Sequence, residues 1–595
     1  MTKVEIGDYW ERLYSNFECN ENVLDPLIAE YCIGLTSNKD PFIKYFESDW
    51  GDEFHPREHR LENNFELISK YGRSAKGTNP NFYIIVNERV YLFSICYSGN
   101  YRVLFKKKAN KIKLEFYLEL GFETKVRSDF TGYDVICVSG KNLTEAANQL
   151  SKYVREFLYK GNDFTPPVTF NPWWVYEDSD INEIIYKQNV DIVKTLGFDV
   201  CILDASWFGD KSNNFWEKTR GDWNVTNDLR FPSGIKELSK YVHKSGMKFG
   251  IWIEIEAVGE EAKLNKEHPE LIAKKDGISL GMICLGSESN RQWAVEQISK
   301  LVENFDADYI LLDFNIDPME GCNSLEHDHG EKDGLYYHYK GLYTILSIIK
   351  KKYPNLIIEN CSSGGLRIDL ALMENMDYCY MSDPDFSELT HQCYQGFRLF
   401  LPPERVNHFA WSYALDRGID YEPIGASMGR RAIAHFDFNN QNNTEQIKKY
   451  IIRSVTHHAF GMAQPFIELK QNDLELIRSE IGIHKSYIDF IKKAKLICPK
   501  FQTKKMFEGN RNPYYIFVNN DEILIYGFGL EMAEPQTKIK ISNVDCVDEI
   551  ESFDGDYTFD NKWLILNIKP QSCQIIFLKC KLTNGETVDF SENII

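Results

Sequence analysis

The chain has 595 residues, more than one hydrophobic core usually organises, so about two to four domains are expected. Its 68 Lys plus Arg stand against 88 Asp plus Glu, and the formal charge of -20 repels phosphate backbones, which excludes nucleic acid as an expected partner. No uninterrupted apolar run reaches the roughly 18 residues of a membrane span, and Met1 to Glu5 carry no apolar export core, so a cytoplasmic chain with no membrane partner is expected.

Up to about residue 165, short aromatic or β-branched runs alternate with turn residues, as in Phe82–Val86, Tyr91–Ile95 and Lys113–Tyr117, which predicts an antiparallel β domain over 1–165. The 14 cysteines are dispersed, with no Cys-x-x-Cys pair, and many lie inside apolar runs such as Val135 to Val138. They read as reduced, buried small hydrophobes and not as a disulfide framework. Pro166–Pro167 marks a boundary, after which apolar strands alternate with amphipathic helices. Helices are predicted over 181–196, 234–243, 291–305 and 337–352, and strands over 198–204, 248–254, 309–313, 356–360 and 378–381. Repeated βα units imply parallel strands with right-handed crossovers, either a doubly wound sheet or a closed barrel. The barrel is favoured because Asp204, Glu254, Asp313, Cys361 and Asp383 follow or end different strands, which would gather them at one rim. The barrel is assigned to 166–503. Strand and turn patterns return from about Lys504, as in Glu522–Gly527 and Ser572–Phe577, and predict a C-terminal antiparallel β domain over 504–595.

Asp313 ends an otherwise apolar strand, where an ionised carboxylate without partners is costly. A strand-end aspartate that caps the next helix is the plain alternative. Asp383 poses the same question, with Pro384 marking a sharp exit from its strand. Two carboxyl groups on different barrel strands are what a glycosidase needs, one to attack the anomeric carbon and one to protonate the leaving oxygen. The acid then needs a raised pKa, supplied by burial and a negative neighbour, and the nucleophile needs hydrogen bonds and nearby positive charge such as Arg367. Cys322, His327 and His329 stand close in sequence, but their spacing matches no standard zinc pattern and the segment reads as a polar loop, so no metal is expected.

The segments Gly221–Val225, Arg230–Lys236 and Gly246–Glu254 resemble the signature of melibiase-type α-galactosidases, glycoside hydrolase family 36. The resemblance runs along nearly the whole chain. Ser48–Phe54 with Gly72–Ser74 is similar to the family's N-terminal motif, whose Trp walls the sugar site, a role that falls on Trp50. Glu359–Arg367 is similar to its Cys/Gly-rich turn, which puts Cys361, Gly364 and Arg367 beside the terminal sugar. Asp313 falls on the nucleophile motif, with Asn315 after it, and Ser382–Asp383 on the acid/base motif, with Asp385 as the alternative acid. Asp204, Trp207, Trp223 and Trp252 complete the implied sugar-binding set.

The resemblance implies a central (β/α)8 TIM barrel between an N-terminal β-supersandwich and the C-terminal β domain, hydrolysis with net retention, and neither metal nor organic cofactor. The implied substrate is an oligosaccharide or glycoconjugate with a terminal α-linked galactose-type sugar, and a homo-oligomer is allowed. Two departures stand out: Ala205 follows Asp204 where the family pairs aspartates, and Leu311 stands where it has a sugar-binding Lys. They leave α-N-acetylgalactosaminidase as the alternative to α-galactosidase. A transglycosylase using the same covalent intermediate and a non-catalytic sugar-binding protein are the other readings.

Overall fold

The computed structural model describes residues 2–15, 22–36, 40–118, 123–125, 130–205, 207–209, 216–383, 387–411, 438, 442–497, 511–560, 562–583 and 587–590. In the N-terminal region a seven-stranded sheet runs in the order Thr2–Ile6, Trp10–Ser15, Asp134–Gly140, Arg89–Cys96, Gly77–Val86, Phe42–Ser48, His55–Arg60. It faces a four-stranded sheet in the order Leu27–Gly34, Lys111–Leu118, Tyr101–Lys108, Phe65–Ile68. Neighbours in both sheets are antiparallel. The period-two pattern explains the pairing of faces: Ile112, Leu114, Phe116 and Leu118 are all buried on one side of their strand. Phe82 of the larger sheet meets Phe105 and Phe116 of the smaller one at ring-centroid distances of 5.4 and 6.3 Å, so the core lies between the sheets. The helix Leu143–Tyr153 follows and leads toward the barrel.

Eight parallel strands close the barrel: β1 (Thr169–Phe170), β2 (Val200–Leu203), β3 (Lys248–Ile253), β4 (Tyr309–Leu312), β5 (Ile357–Asn360), β6 (Tyr378–Tyr380), β7 (Val406–Trp411) and β8 (Ala459–Ala463). β1 pairs with both β2 and β8, which completes the ring. A side chain at Gly461 of β8 would collide with Thr169 and Phe409, so the closing seam requires glycine there. β2 and β4 are buried along their whole length, which is why they read as continuous apolar runs and not as alternating ones.

Four helices match the sequence expectation within three residues at each end: α1 (Glu183–Leu196), α2 (Ile235–Lys244), α3 (Glu288–Phe305) and α4 (Gly334–Lys352). α1 starts where Asn182 Oδ1 accepts from the N–H groups of Ile184 and Ile185, and ends at Gly197 with φ 99°. The C-terminal region is antiparallel. A five-stranded sheet, in the order Lys495–Ile497, Tyr514–Asn519, Glu522–Gly529, Ser572–Leu582, Val544–Phe553, lies beside a three-stranded one formed by Gln536–Lys540, Trp563–Asn567 and Asp556–Asp560. Among the described residues no helix is long and apolar enough to cross a membrane. The sequence reading missed β1, β7 and β8: β1 is two residues long, and β7 and β8 are flanked by polar and histidine-rich stretches.

Candidate active site

The barrel geometry places Asp204 directly after β2, Glu254 after β3, Asp313 after β4, Cys361 after β5 and Asp383 three residues past β6. They therefore share the C-terminal rim, as strand-end residues of a parallel barrel must.

Asp313 is 8% exposed and accepts from four donors. Phe314 N lies 2.7 Å and Ser363 N 3.2 Å from Oδ1, while Asn315 Nδ2 lies 2.6 Å and Trp252 Nε1 3.3 Å from Oδ2. Four converging N–H groups fix the carboxylate as an acceptor on one side of the mouth. Asp383 is held differently, by the indole N–H of Trp50 at 2.5 Å from its Oδ2. Burial pushes the Asp383 carboxyl up to about 7, the charges of Asp313 and Asp204 add to the rise, and the Trp50 donor and Arg73 oppose it.

Asp204 is also raised to about 7, by burial and by Asp313 against the donors Asn171 and Ala205 N. Glu254 is raised to about 7 by burial, against the attraction of Arg220 at 3.0 Å and with a further push from Asp313. Glu359 lies one layer deeper, bonded to Tyr309 OH and to Asn407 Nδ2 at 2.6 Å, and burial raises it to about 7 as well. Burial pushes the Cys361 thiol up, Asp313 and Asp383 adding to it, so it is a neutral neighbour of the carboxylates.

The N-terminal sheet region supplies one wall. Trp50 belongs to the turn after Phe42–Ser48, and Glu53 of that turn accepts from Ser382 Oγ at 2.5 Å. Gly364 has φ 73°, and a Cβ there would come within 2.7 Å of Glu53 and 3.0 Å of Asp383 N, so the turn after β5 and this wall fit only with glycine. Arg73, which sequence reasoning did not single out, reaches from the same region to Phe314 O, Ser362 O and Ser363 Oγ at 3.2, 3.3 and 3.1 Å, and pairs with Asp317 at 2.6 Å. Its only signal was the Gly72–Ser74 motif.

Two expectations are corrected. Arg367 does not stand as the positive neighbour of Asp313: its side chain is 0% exposed and its guanidinium is bidentate on Glu256 at 2.9 and 2.8 Å. Burial works against ionisation of Glu256, but Arg367 and His338 outweigh it and hold the carboxyl at about 2. Sequence spacing cannot reveal this pair, because Glu256 comes from the loop after β3. Trp207 does not face the mouth either; fully buried, it donates its indole N–H to Trp252 O at 2.9 Å and buttresses Trp252, with Trp223 packed against both at centroid distances of 6.2 and 6.1 Å. The two departing residues, Leu311 and Ala205, are both buried. Asp385 lies outside the described residues.

Fold and rim define a multidomain (β/α)8-barrel protein whose strand-end carboxyl groups converge at one end of the barrel. Residues 130–407 match the family model described as Melibiase, so this part of the chain is similar to that family. Among curated proteins it is 28% identical to α-galactosidase 1 of Pediococcus pentosaceus over 56% of this chain and 48% of the relative. It is 28% identical to α-galactosidase Mel36A of Lactobacillus acidophilus over 51% of this chain and 44% of the relative. The chain thus spans about half the length of the curated relatives it matches. Among solved structures, the family 36 α-galactosidase AgaA of Geobacillus stearothermophilus, in complex with stachyose, shares the fold with a TM-score of 0.78 at 19% identity, over 96% of this chain and 80% of that one.

Proposed function

We propose that this protein is a retaining, exo-acting α-galactosidase in which Asp313 is the nucleophile and Asp383 the general acid/base. The observation that carries the reading is the contrast between the two carboxyl groups. Asp313 is aligned by four N–H donors, as a nucleophile that keeps its lone pairs oriented must be, while Asp383 sits at about 7 and can hold a proton at neutral pH. In the first step Asp313 attacks the anomeric carbon as Asp383 passes its proton to the glycosidic oxygen. In the second, Asp383 takes a proton from water, which releases the sugar from Asp313. Trp50 orients the acid through its indole N–H, and Asp204 and Asn315 offer polar contacts to sugar hydroxyls.

The melibiase match and the α-galactosidase relatives support galactose as the terminal sugar. AgaA has been solved with stachyose and with raffinose, which makes such oligosaccharides the first substrates to try. The test is proton NMR of the first anomer released from an aryl α-galactoside, together with Asp313→Ala. Early α-galactose, loss of turnover in the variant, and rescue by azide with formation of β-galactosyl azide are expected. Early β-galactose, or ordinary turnover in Asp313→Ala, overturns the assignment.

A further inference from the structure

Behind the wall of the mouth, four metal-ligating side chains come together, one of them, Cys284, far in sequence from the other three. Cys284 follows the strand Ile278–Ile283, which is hairpin-paired with Ile272–Lys275. Cys322, His327 and His329 lie in the connection from β4 to α4. All four are buried, and one donor atom from each lies within 4.8 Å of the others.

Cys284 Sγ is 3.1 Å from His329 Nε2, and Cys322 Sγ is 3.3 Å from His327 Nδ1. In a tetrahedral zinc site with ordinary Zn–S and Zn–N bonds, sulfur and nitrogen ligands stand about 3.5 Å apart, so the cluster already has nearly that spacing.

The orientation of the imidazoles is the stronger argument. His327 places its other nitrogen, Nε2, 3.0 Å from Glu270 O, and His329 places Nδ1 2.8 Å from Gly330 O. A carbonyl only accepts, so each of those nitrogens carries the ring proton, and the bare lone pairs of His327 Nδ1 and His329 Nε2 point at the two sulfurs. Carbonyl-fixed tautomers of this kind are how proteins orient metal-binding histidines. Lys274 N also donates to Cys322 Sγ at 3.3 Å, which suits a thiolate ligand. Two glycines make room for one ring: a Cβ at Gly286 would stand 2.7 Å from His329 Cδ2, and one at Gly334 would stand 3.0 Å from His329 Cε1.

The setting explains why a metal would be needed. The connection over 313–333 contains no helix or strand, an uncommon length for an ordered loop in a compact barrel. Where it meets the hairpin, its own Phe314 and Cys322 form a separate small apolar cluster with Ala273, Met282 and Cys284, too few to hold such a loop by burial. Yet this loop carries Asp313, Asn315 and Asp317, the last being the partner of Arg73 and Lys76.

We infer that Cys284, Cys322, His327 and His329 form a structural zinc site that pins the β4–α4 loop to the hairpin behind the mouth. With four protein ligands the coordination shell is closed, so the ion stabilises the loop and takes no part in the reaction.

The test uses the full chain, made without a polyhistidine tag in zinc-supplemented medium and purified under reducing conditions. Elemental analysis is expected to find one zinc per chain, released only when the thiols are titrated with a mercurial in the presence of a zinc-chromogenic chelator. Cobalt exchanged into the site should show the visible ligand-field bands and the thiolate charge-transfer band of a tetrahedral Cys2His2 complex. Cys322→Ser should bring the zinc content to background and lower the Tm, and Cys284→His, which keeps a donor, should retain metal. Wild-type protein that carries no zinc and acquires no cobalt spectrum overturns the inference, as does a Cys284–Cys322 disulfide found by mass spectrometry. Full zinc occupancy in Cys322→Ser overturns it equally.

Discussion

Trp50→Phe tests whether the indole N–H governs the proton on the acid. The ring face that walls the mouth is largely kept, but the donor 2.5 Å from Asp383 Oδ2 is removed. That donor favours the ionised carboxylate and so holds Asp383 below where burial and the charges of Asp313 and Asp204 would otherwise set it. A hydrogen bond to a charged group is worth about 1.5–3 kcal/mol, and about 1.4 kcal/mol corresponds to one pH unit, so its loss should raise the Asp383 carboxyl by about one to two pH units. The acid must be protonated to work, so the alkaline limb of kcat/KM should move upward from about 7 by that amount. Asp204, Glu254 and Glu359 also titrate near 7, which is why the wild-type profile alone cannot assign the limb. Of these four carboxyl groups Asp383 is the one bonded to the Trp50 indole, so a displacement in this variant belongs to it. The assay is kcat/KM against pH for raffinose, whose leaving group needs a proton, in wild type and variant. An unchanged alkaline limb refutes the argument even if KM rises.

Asp383→Ala should depress turnover of raffinose by about a hundredfold or more and that of an aryl α-galactoside with an acidic phenol far less, because only the first leaving group needs the proton; equal losses would move the acid role elsewhere. Glu256→Gln leaves the fully buried Arg367 guanidinium without its counter-charge and should cost about 3–5 kcal/mol in urea unfolding at neutral pH. The wild-type pair also sets a pH dependence. Glu256 is held at about 2, below its ordinary 4.5, so its contribution is complete above 4.5 and is lost as pH falls through about 2. That contribution is on the order of 3 kcal/mol, and the variant should show a correspondingly shallower loss of stability below 4.5.

Much of this molecule was readable from order along the chain. The period-two runs of the first region, the amphipathic helices α1 to α4, the first of them capped by Asn182, and the apolar strands between them are local patterns, and each leaves its signature within about ten residues. Asp313 and Asp383 could be singled out because a carboxylate at the end of an apolar strand needs a reason, and the Gly221–Glu254 segments pointed to the family. Closure of the barrel was different. It depends on β1, two residues long, meeting β8 across the seam at Gly461, a contact between segments nearly three hundred residues apart.

The same distance in sequence hid the partners that set the chemistry. Trp50 reaches Asp383, Arg73 reaches the β4 and β5 turns, Arg367 turns to Glu256, and Cys284 joins Cys322, His327 and His329. Hydrogen bonds and ion pairs act over about 3 Å in space whatever the separation along the chain, and a sequence records only the latter. The sequence alone therefore determined which elements form and which strand-end carboxyl groups are available. Tertiary structure decided which donor, charge or ligand stands beside each one, and with it the state of the acid and the grouping of a zinc-binding set that spacing rules had set aside.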